Sequence, residues 1–330
     1  MNFSVSKKLR HQTGLTLVEL MVALAIGSFL MIGAIQVYSQ SRQAFVVNES
    51  IARVQETAQF AMDTIESDLR MASNWGRNSR ALAVEGRSII GDDDPTGLNP
   101  PTECGVDWVL DLATPIDGTD NSYGLTCAPT ATAGPAQLNS DVITVRRTSV
   151  APVALESGRI QVQTTRIQGE LFKDGAVPAT FSAVDSATHN LRVNSYYVAQ
   201  QSELIPGSPT LRRKTLTVRS GAPFIADEEV APGVENIQIQ LGVDVDGDNT
   251  VDRYVNPGDP IYDPNAATGY VPGARVMTAR VWMVVRGISY EAGVQDSKNY
   301  QPANATLGTQ SDSHRRMQVS KTILLRNART

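Results

Sequence analysis

The chain has 330 residues with 29 basic and 34 acidic side chains, and its formal charge of −5 disfavours non-specific electrostatic binding to nucleic acid. Its three histidines and two cysteines exclude histidine-rich metal centres and four-cysteine zinc sites. The slightly negative mean hydropathy excludes a polytopic membrane protein, although an average over the whole chain can conceal one apolar segment of about 20 residues.

The amino terminus joins a basic leader to one long apolar segment. Residues 1–14 read MNFSVSKKLRHQTG and contain no acidic residue, whereas residues 15–35 carry a single charge, Glu19. A helix over 15–35 is long enough to cross the hydrocarbon layer, at about 1.5 Å per residue. Because basic flanks stay in the cytoplasm, the chain after Ile35 is predicted to be exported.

Two simpler explanations of this segment fit less well. A secretory signal peptide has a shorter apolar region and a small-residue cleavage site, but residues 36–45 read QVYSQSRQAF. A plain membrane anchor explains the length of the segment but leaves Glu19 unexplained, because an ionised carboxylate within a span is costly unless it is paired or protonated.

Residues 14–20, GLTLVEL, directly after the basic leader, resemble the type IV pilin signature. The resemblance implies that prepilin peptidase cleaves between Gly14 and Leu15 and that Leu15 becomes the N-methylated terminus. It also implies that Glu19 pairs with the terminal amine of a neighbouring subunit during assembly. A carboxylate and an ammonium in low dielectric satisfy each other, whereas either one alone is strongly penalised. The pair is therefore expected to fix the axial register of subunits.

A second helical pattern follows the apolar segment. Residues 39–72 contain no proline or glycine, and apolar residues recur every three or four positions at Val47, Ile51, Val54, Ala58, Ala61, Ile65 and Leu69. Charged residues suit the solvent face of this helix: Glu49, Arg53, Glu56, Asp63, Glu66 and Arg70. The sequence predicts a transmembrane assembly helix over 15–38 and an amphipathic helix over 39–75, ended by Gly76. A short break near Ser39 is the alternative to one continuous helix.

The exported body, residues 76–330, begins with a loop-rich stretch to about residue 140 that contains Cys104 and Cys127. In an exported chain with two cysteines, one disulfide between them is the simplest prediction. Two free thiols are the alternative.

Beyond residue 140 the pattern changes from helical to alternating. Strands are predicted at Val142–Arg146, Arg159–Thr164, Ser195–Gln200, Leu211–Arg219, Ile237–Val243, Val276–Arg286 and Val319–Leu325. Such strands build an antiparallel sheet with one solvent-exposed face.

The signature, the large head, the acidic segment at 244–252 and residues 320–327, SKTILLRN, resemble PilW-type minor pilins. The resemblance implies an α+β pilin fold, in which a long N-terminal helix packs on an antiparallel sheet in an enlarged head. It implies a single-pass protein of the inner membrane with a periplasmic head, placed at the pilus tip after assembly. Expected partners are other minor pilins, the major pilin, prepilin peptidase and the inner-membrane assembly platform, with no nucleic acid.

Residues 244–252 read DVDGDNTVD, and oxygen ligands at Asp244, Asp246, Asp248, the Thr250 carbonyl and Asp252 suit a Ca²⁺ ion. The match to an EF-hand loop is incomplete, because Asn249 takes the glycine position and Val255 takes the place of the bidentate glutamate. A hairpin loop kept soluble by its charges is the alternative. Ca²⁺ is the one cofactor that the sequence suggests.

No catalytic motif is present, so no catalytic residues are assigned and a structural, non-enzymatic protein is expected. Two basic runs, at 146–147 and 212–214, are interpreted as solvated faces, and His189 is interpreted as a surface residue. The expected function is initiation or capping of a type IV pilus, which supports twitching motility and adhesion. The alternatives are a minor pseudopilin of a type II secretion system and, less favoured, a membrane-anchored exported enzyme.

Overall fold

The computed structural model describes residues 14–88, 97–291 and 294–327. The chain divides into two compact units, Met1–Ser50 and Ile51–Thr330. Within the described residues, the first unit consists of residues 14–50, which are mostly helical, and the second unit contains the helical residues from Ile51 together with all the strands. The leader residues 1–13, with their three basic side chains, lie outside the described residues.

One α-helix, α1, runs from Leu17 to Arg70 without interruption, so the alternative of a break near Ser39 is not observed. The helix ends five residues before the predicted boundary. The N–H groups of Met71 and Ala72 bond to carbonyl oxygens three residues back, at 3.0 and 3.2 Å, which tightens the last turn. Ser73 then adopts a left-handed conformation with φ of 62°, ahead of Gly76.

The head contains the strands of this fold. In chain order they are β1 (Val84–Glu85), β2 (Ile116–Thr119), β3 (Val142–Thr148), β4 (Gln161–Thr164), β5 (Gly169–Phe172), β6 (Ala187–Ala199), β7 (Thr210–Arg219), β8 (Ala222–Pro232), β9 (Val234–Asp244), β10 (Arg253–Val255), β11 (Arg275–Arg286), β12 (Asn299–Tyr300), β13 (Gly308–Thr309) and β14 (Arg316–Leu324). Short 3₁₀ turns occupy Ala81–Ala83, Ala131–Ala133 and Pro260–Tyr262. All seven predicted strands are present, and most boundaries differ by three residues or fewer, but β6 begins at Ala187, eight residues before the predicted start at Ser195.

The described strands form a sheet of eight strands, a sheet of four strands and a separate antiparallel pair, β12 and β13. The eight-stranded sheet has the order β1-β5-β4-β6-β3-β2, and β7 and β8 extend it from β6. The four-stranded sheet has the order β10-β9-β11-β14. Pairing is antiparallel except for the two-residue contact between β1 and β5. One long helix with antiparallel-rich sheets confirms the predicted α+β class.

The main core lies between the second part of α1 and both sheets. Val54, Ala58, Ala61, Ile65 and Leu69 of the predicted stripe are all buried, and they pack with side chains from β3, β6, β9, β11 and β14. Their spacing of three and four residues places them on one face of the helix, which is why the stripe predicts the buried side correctly.

The prediction of one solvent-exposed sheet face is wrong for the large sheet. A second core covers the other face of β6, where Leu191 and Val193 pack against Trp108 and Leu110 from the loop before β2. The sequence marks this loop by its turn residues, but the same loop carries the apolar side chains that bury the sheet. Alternation along a strand does not reveal that a loop covers its second face.

Candidate functional site

The first candidate site is the start of α1. Gly14, Leu15 and Thr16 precede the helix, and Gly14 is exposed, with no described atom beyond its chain neighbours within 4 Å of the position that a Cβ would take. Nothing in the described chain therefore requires glycine at position 14. The fold leaves the Gly14–Leu15 peptide bond accessible.

Thr16 and Glu19 form a reciprocal cap at the helix start. The backbone N–H and the hydroxyl of Thr16 both donate to the Glu19 carboxylate at 3.0 Å, and the Thr16 hydroxyl accepts from the Glu19 N–H at 3.3 Å. This is a capping box, which satisfies N–H groups that have no intrahelical partner. The Thr-x-x-Glu spacing was present in the sequence, so this role of Thr16 could have been predicted.

The helix surface after this cap is apolar and uncovered. Large side chains such as Leu17, Phe29 and Leu30 are more than two thirds exposed, at 76%, 80% and 70%. Among the described residues, α1 is the one helix long and apolar enough to cross a membrane by length and composition. Such a surface is stable only in lipid or against other apolar helices.

The second candidate site is the acidic loop between β9 and β10. Ligand oxygens of Asp244, Asp246 and Asp252 lie within 4.8 Å of one another. The Asp252 carboxylate also accepts the Val245 N–H at 2.6 Å, which closes the loop. Asn249 has a φ of 68°, the left-handed conformation that its position in the loop requires.

Asp244 is fully buried at the base of this loop. Its two oxygens accept the N–H groups of Gly247 and Asn249 at 2.7 and 2.9 Å, and the Arg275 guanidinium lies 3.2 Å away. Burial would raise the pKa of Asp244, but these donors and the arginine charge hold it below its ordinary value. Arg275 is a counter-charge that the sequence pattern did not indicate.

The other two predicted ligands, Asp248 and Thr250, bond to each other. Asp248 lies outside the three-carboxylate group and accepts the N–H and hydroxyl of Thr250 at 2.7 and 2.6 Å. The loop thus offers three converging carboxylates with Arg275 beside one of them. Calcium binding stays a prediction.

Cys104 and Cys127 form a disulfide, which confirms the predicted pairing. Cys104 is buried in the second core, and the indole N–H of Trp108 donates to the Ser195 hydroxyl of β6 at 2.8 Å. The disulfide therefore constrains the loop that covers the large sheet.

Two acidic residues of α1, Glu66 and Asp68, are buried, and the sequence placed Glu66 on the solvent face. Glu66 forms ion pairs with Lys321 of β14 and with Arg70. Asp68 accepts hydrogen bonds from Arg147, Asn194 and Tyr196. Paired charges can lie inside a core, and a helical pattern alone does not show the partners.

The two basic runs are likewise not simple solvated faces. Arg146 is buried and donates to the carbonyl oxygens of Trp108 and Thr114 at 2.9 and 2.6 Å. Arg212 is buried against Asp227 at 2.9 Å. His189 is buried too, which lowers its pKa, and its Nδ1 lies 2.8 Å from the Ser149 carbonyl oxygen.

Comparison with known families places these features in a class. Residues 9–35 match the prokaryotic N-terminal methylation motif, and residues 195–327 match the family described as Type IV Pilus-assembly protein W. No curated protein matches the chain.

Among solved structures, a type IV-like pilin from Thermus thermophilus is similar at 13% identity, over 62% of this chain and 82% of that one. The TM-score of this comparison is 0.28.

The methylation motif and the uncovered apolar helix fit a single-pass, membrane-anchored protein of the type IV pilin class. The C-terminal part of the head, residues 195–327, is similar to the PilW family of type IV pilus-assembly proteins. This confirms the resemblance drawn from the sequence.

Proposed function

We propose that this protein is a minor pilin that helps to initiate or cap a type IV pilus and thereby supports pilus biogenesis, twitching motility and adhesion. The observation that carries the proposal is the pairing of two features in one chain. An apolar helix with a methylation motif leads into a head whose C-terminal part matches the PilW family. Its role is structural, and no catalytic residue is assigned to it.

The proposal includes the processing and location of the chain. Prepilin peptidase cleaves after Gly14, Leu15 is N-methylated, and the helix anchors the protein in the inner membrane with its head in the periplasm. The accessible Gly14 supports cleavage at this bond. After assembly the head lies at the pilus tip, in contact with other minor pilins and the major pilin.

Glu19 is proposed to pair with the terminal amine of a neighbouring subunit. Its carboxylate already lies at the helix start, where Thr16 holds it in the exposed part of the segment. An ammonium is a stronger partner than a hydroxyl in a low-dielectric setting. Assembly would therefore add a charged partner to a carboxylate whose position is already set.

A deletion strain complemented with the wild-type chain tests the function. The deletion is expected to lose surface pili and twitching while secretion by the type II system continues, and complementation should restore both losses. Normal piliation together with lost exoprotein secretion would instead show a minor pseudopilin. Normal piliation and normal secretion would contradict both roles.

Mass spectrometry of the mature amino terminus tests the processing. An N-methylated Leu15 is expected in the wild type, and Gly14→Val is expected to leave the leader in place. Because no neighbouring atom restricts position 14, this substitution should not disturb the folded head. A mature terminus elsewhere would contradict the proposed cleavage.

A further inference from the structure

The C-terminal strand β14 forms one edge of the four-stranded sheet. It pairs with β11 over nine residues, from Arg316↔Arg286 to Leu324↔Thr278, without a shift of register. At the two ends of this ladder the Leu325 N–H donates to the Met277 carbonyl oxygen and the Gly287 N–H donates to the Arg315 carbonyl oxygen. Odd-numbered residues of this strand are therefore the ones that bond to β11.

In an antiparallel ladder, residues that bond to the partner strand alternate with residues whose N–H and C=O point away from it. The backbone groups of Gln318, Ser320 and Thr322 consequently point to the free edge. No hydrogen bond within the described part of the chain engages them on that side. The three side chains are also exposed.

Natural proteins protect such edges with proline, bulges, charges or a covering segment. Strand β14 contains neither a proline nor a bulge. Its one central charge, Lys321, pairs with Glu66 of the helix and so does not protect the edge. The edge is thus long, regular and open among the described residues.

A groove of about 730 Å³ lies beside this edge. One wall is the face of α1 that carries Ala52, Ala58 and Met62, and the other wall consists of β14 residues, including Met317 and Val319. No residue of β11 lines the groove, so it lies beyond the last strand. The helix surface continues past the point where the sheet ends.

We propose that β14 accepts one further strand, supplied by an extended segment of another pilin subunit. A regular row of free N–H and C=O groups on a strand edge is matched in spacing and direction by another extended backbone. Side chains of the added strand that face α1 would fill the groove, so they are apolar at alternate positions. Glu56 lines the groove and forms no ion pair with a described residue, so the segment carries a basic residue opposite it.

This inference rests on the proposed function, because pilus assembly is what brings a second pilin beside this one. It differs from pairing through Glu19, which lies in the other compact unit. The two interactions can therefore be tested separately.

Photocrosslinking in piliated cells provides the first test. Benzoylphenylalanine at Gln318, on the open edge, is expected to give an adduct whose second component is a pilin subunit by mass spectrometry. The same probe at Val184, which is 88% exposed but lies outside the edge, serves as the matched control. No pilin adduct from position 318, or adducts with other proteins alone, would overturn the proposal.

A pair of substitutions at one position provides the second test. Ser320→Pro removes an outward N–H without breaking the ladder to β11, and Ser320→Ala keeps that N–H. Ser320→Pro is expected to lower incorporation into sheared pili about tenfold relative to Ser320→Ala, with an unchanged melting temperature of the head. Equal incorporation would overturn the proposal.

Two outcomes keep this test separate from that of the proposed function. If Ser320→Pro lowers the melting temperature, the crosslink from Gln318 decides the question, because that variant keeps the native backbone. If the deletion strain remains piliated, the proposed function is contradicted, whatever the result for β14. If the deletion strain loses its pili but Ser320→Pro assembles normally, only the added strand is refuted.

Discussion

Thr16 donates both its backbone N–H and its hydroxyl to the Glu19 carboxylate, each at 3.0 Å, at the first turn of a 54-residue helix. This carboxylate is the one proposed to pair with the terminal amine of a neighbouring subunit. It can serve as a helix cap and as a charge partner at once, because a carboxylate offers about four acceptor sites. The two roles can be separated by substitution.

Glu19→Gln is expected to keep the cap and lose the charge pair. A glutamine oxygen still accepts the Thr16 N–H, as in other capping boxes, but it carries no charge for an ammonium. Incorporation into sheared pili, measured by immunoblot, is therefore expected to fall at least about tenfold, the effect of roughly 1.4 kcal/mol. Processing after Gly14 should continue.

Thr16→Ala is the matched control, since it removes the hydroxyl and leaves the Glu19 charge. Loss of such a cap costs about 1 kcal/mol of helix stability. This variant should enter pili near the wild-type level. A fall in Thr16→Ala as large as that in Glu19→Gln would show that the cap, rather than the charge, is what assembly requires.

Asp68 is expected to make the main polar contribution to packing of the helix on the large sheet within the head. It is buried and accepts the Tyr196 hydroxyl at 2.6 Å, the Asn194 amide at 2.5 Å and the Arg147 guanidinium at 2.9 Å. Burial raises the pKa of Tyr196, so this phenol remains a neutral donor. Asp68→Ala leaves these donors without their acceptor and should lower the free energy of unfolding by about 3 kcal/mol.

Asp63 supplies the comparison for that experiment. It lies on the same helix with an exposed side chain, and Asp63→Ala should change the free energy of unfolding by less than about 0.5 kcal/mol. Urea denaturation of the detergent-solubilised protein, followed by tryptophan fluorescence, measures both variants. Equal effects would mean that Asp68 contributes no more than a surface carboxylate.

The buried carboxyl of Asp141 is predicted to make stability depend on pH. It accepts N–H groups from Asn121 at 2.8 Å and from Ile239 at 2.7 Å, and thus joins the large sheet to β9. Burial raises its pKa to about 7 from an ordinary value of 3.8. The folded state therefore keeps a proton that the unfolded chain has lost.

Because the pKa of Asp141 is higher in the folded state than in the unfolded chain, its contribution to stability decreases as the pH rises. The contribution of Asp141 is most favourable below about pH 4 and falls as the pH rises to about 7, by roughly 1.4 kcal/mol per pH unit at most. Urea denaturation at pH 5 and pH 8 should show a smaller decline in Asp141→Asn than in the wild type. An identical decline in both proteins would assign the pH dependence to other groups.

The N-terminal features could be predicted from sequence because each depends on local order. The apolar run, Glu19 and the stripe through Ile65 and Leu69 are properties of one helix, and a helix presents its residues at a fixed period. The disulfide could be predicted because the chain contains only two cysteines.

The second core and the buried charges could not be predicted in this way. They depend on contacts between distant segments, such as Trp108 with Ser195 and Arg147 with Asp68. From sequence alone a polar side chain is predicted to be exposed, because the free-energy cost of burying it depends on a hydrogen-bond or charge partner that the sequence does not show. Arg275, which faces Asp244 across a strand pair, is a further example.

The acidic loop supports a final prediction, that Ca²⁺ stabilises the head. With a dissociation constant of about 0.1 mM, 1 mM Ca²⁺ would add roughly 1.4 kcal/mol and raise the melting temperature by about 2–4 °C. The converging carboxylates of Asp244, Asp246 and Asp252 would supply the ligands. Mg²⁺ at the same concentration should give a smaller shift, since it demands near-octahedral geometry.

Two single substitutions distinguish the ligand set in the structure from the set suggested by the sequence. Asp246→Asn should abolish the calcium shift, because Asp246 belongs to the converging group. Asp248→Asn should keep it, since Asp248 bonds to Thr250 instead. Loss of the shift in both variants would restore Asp248 to the ligand set. If the wild type shows no shift, the loop is a charged hairpin whose buried carboxylate is balanced by Arg275.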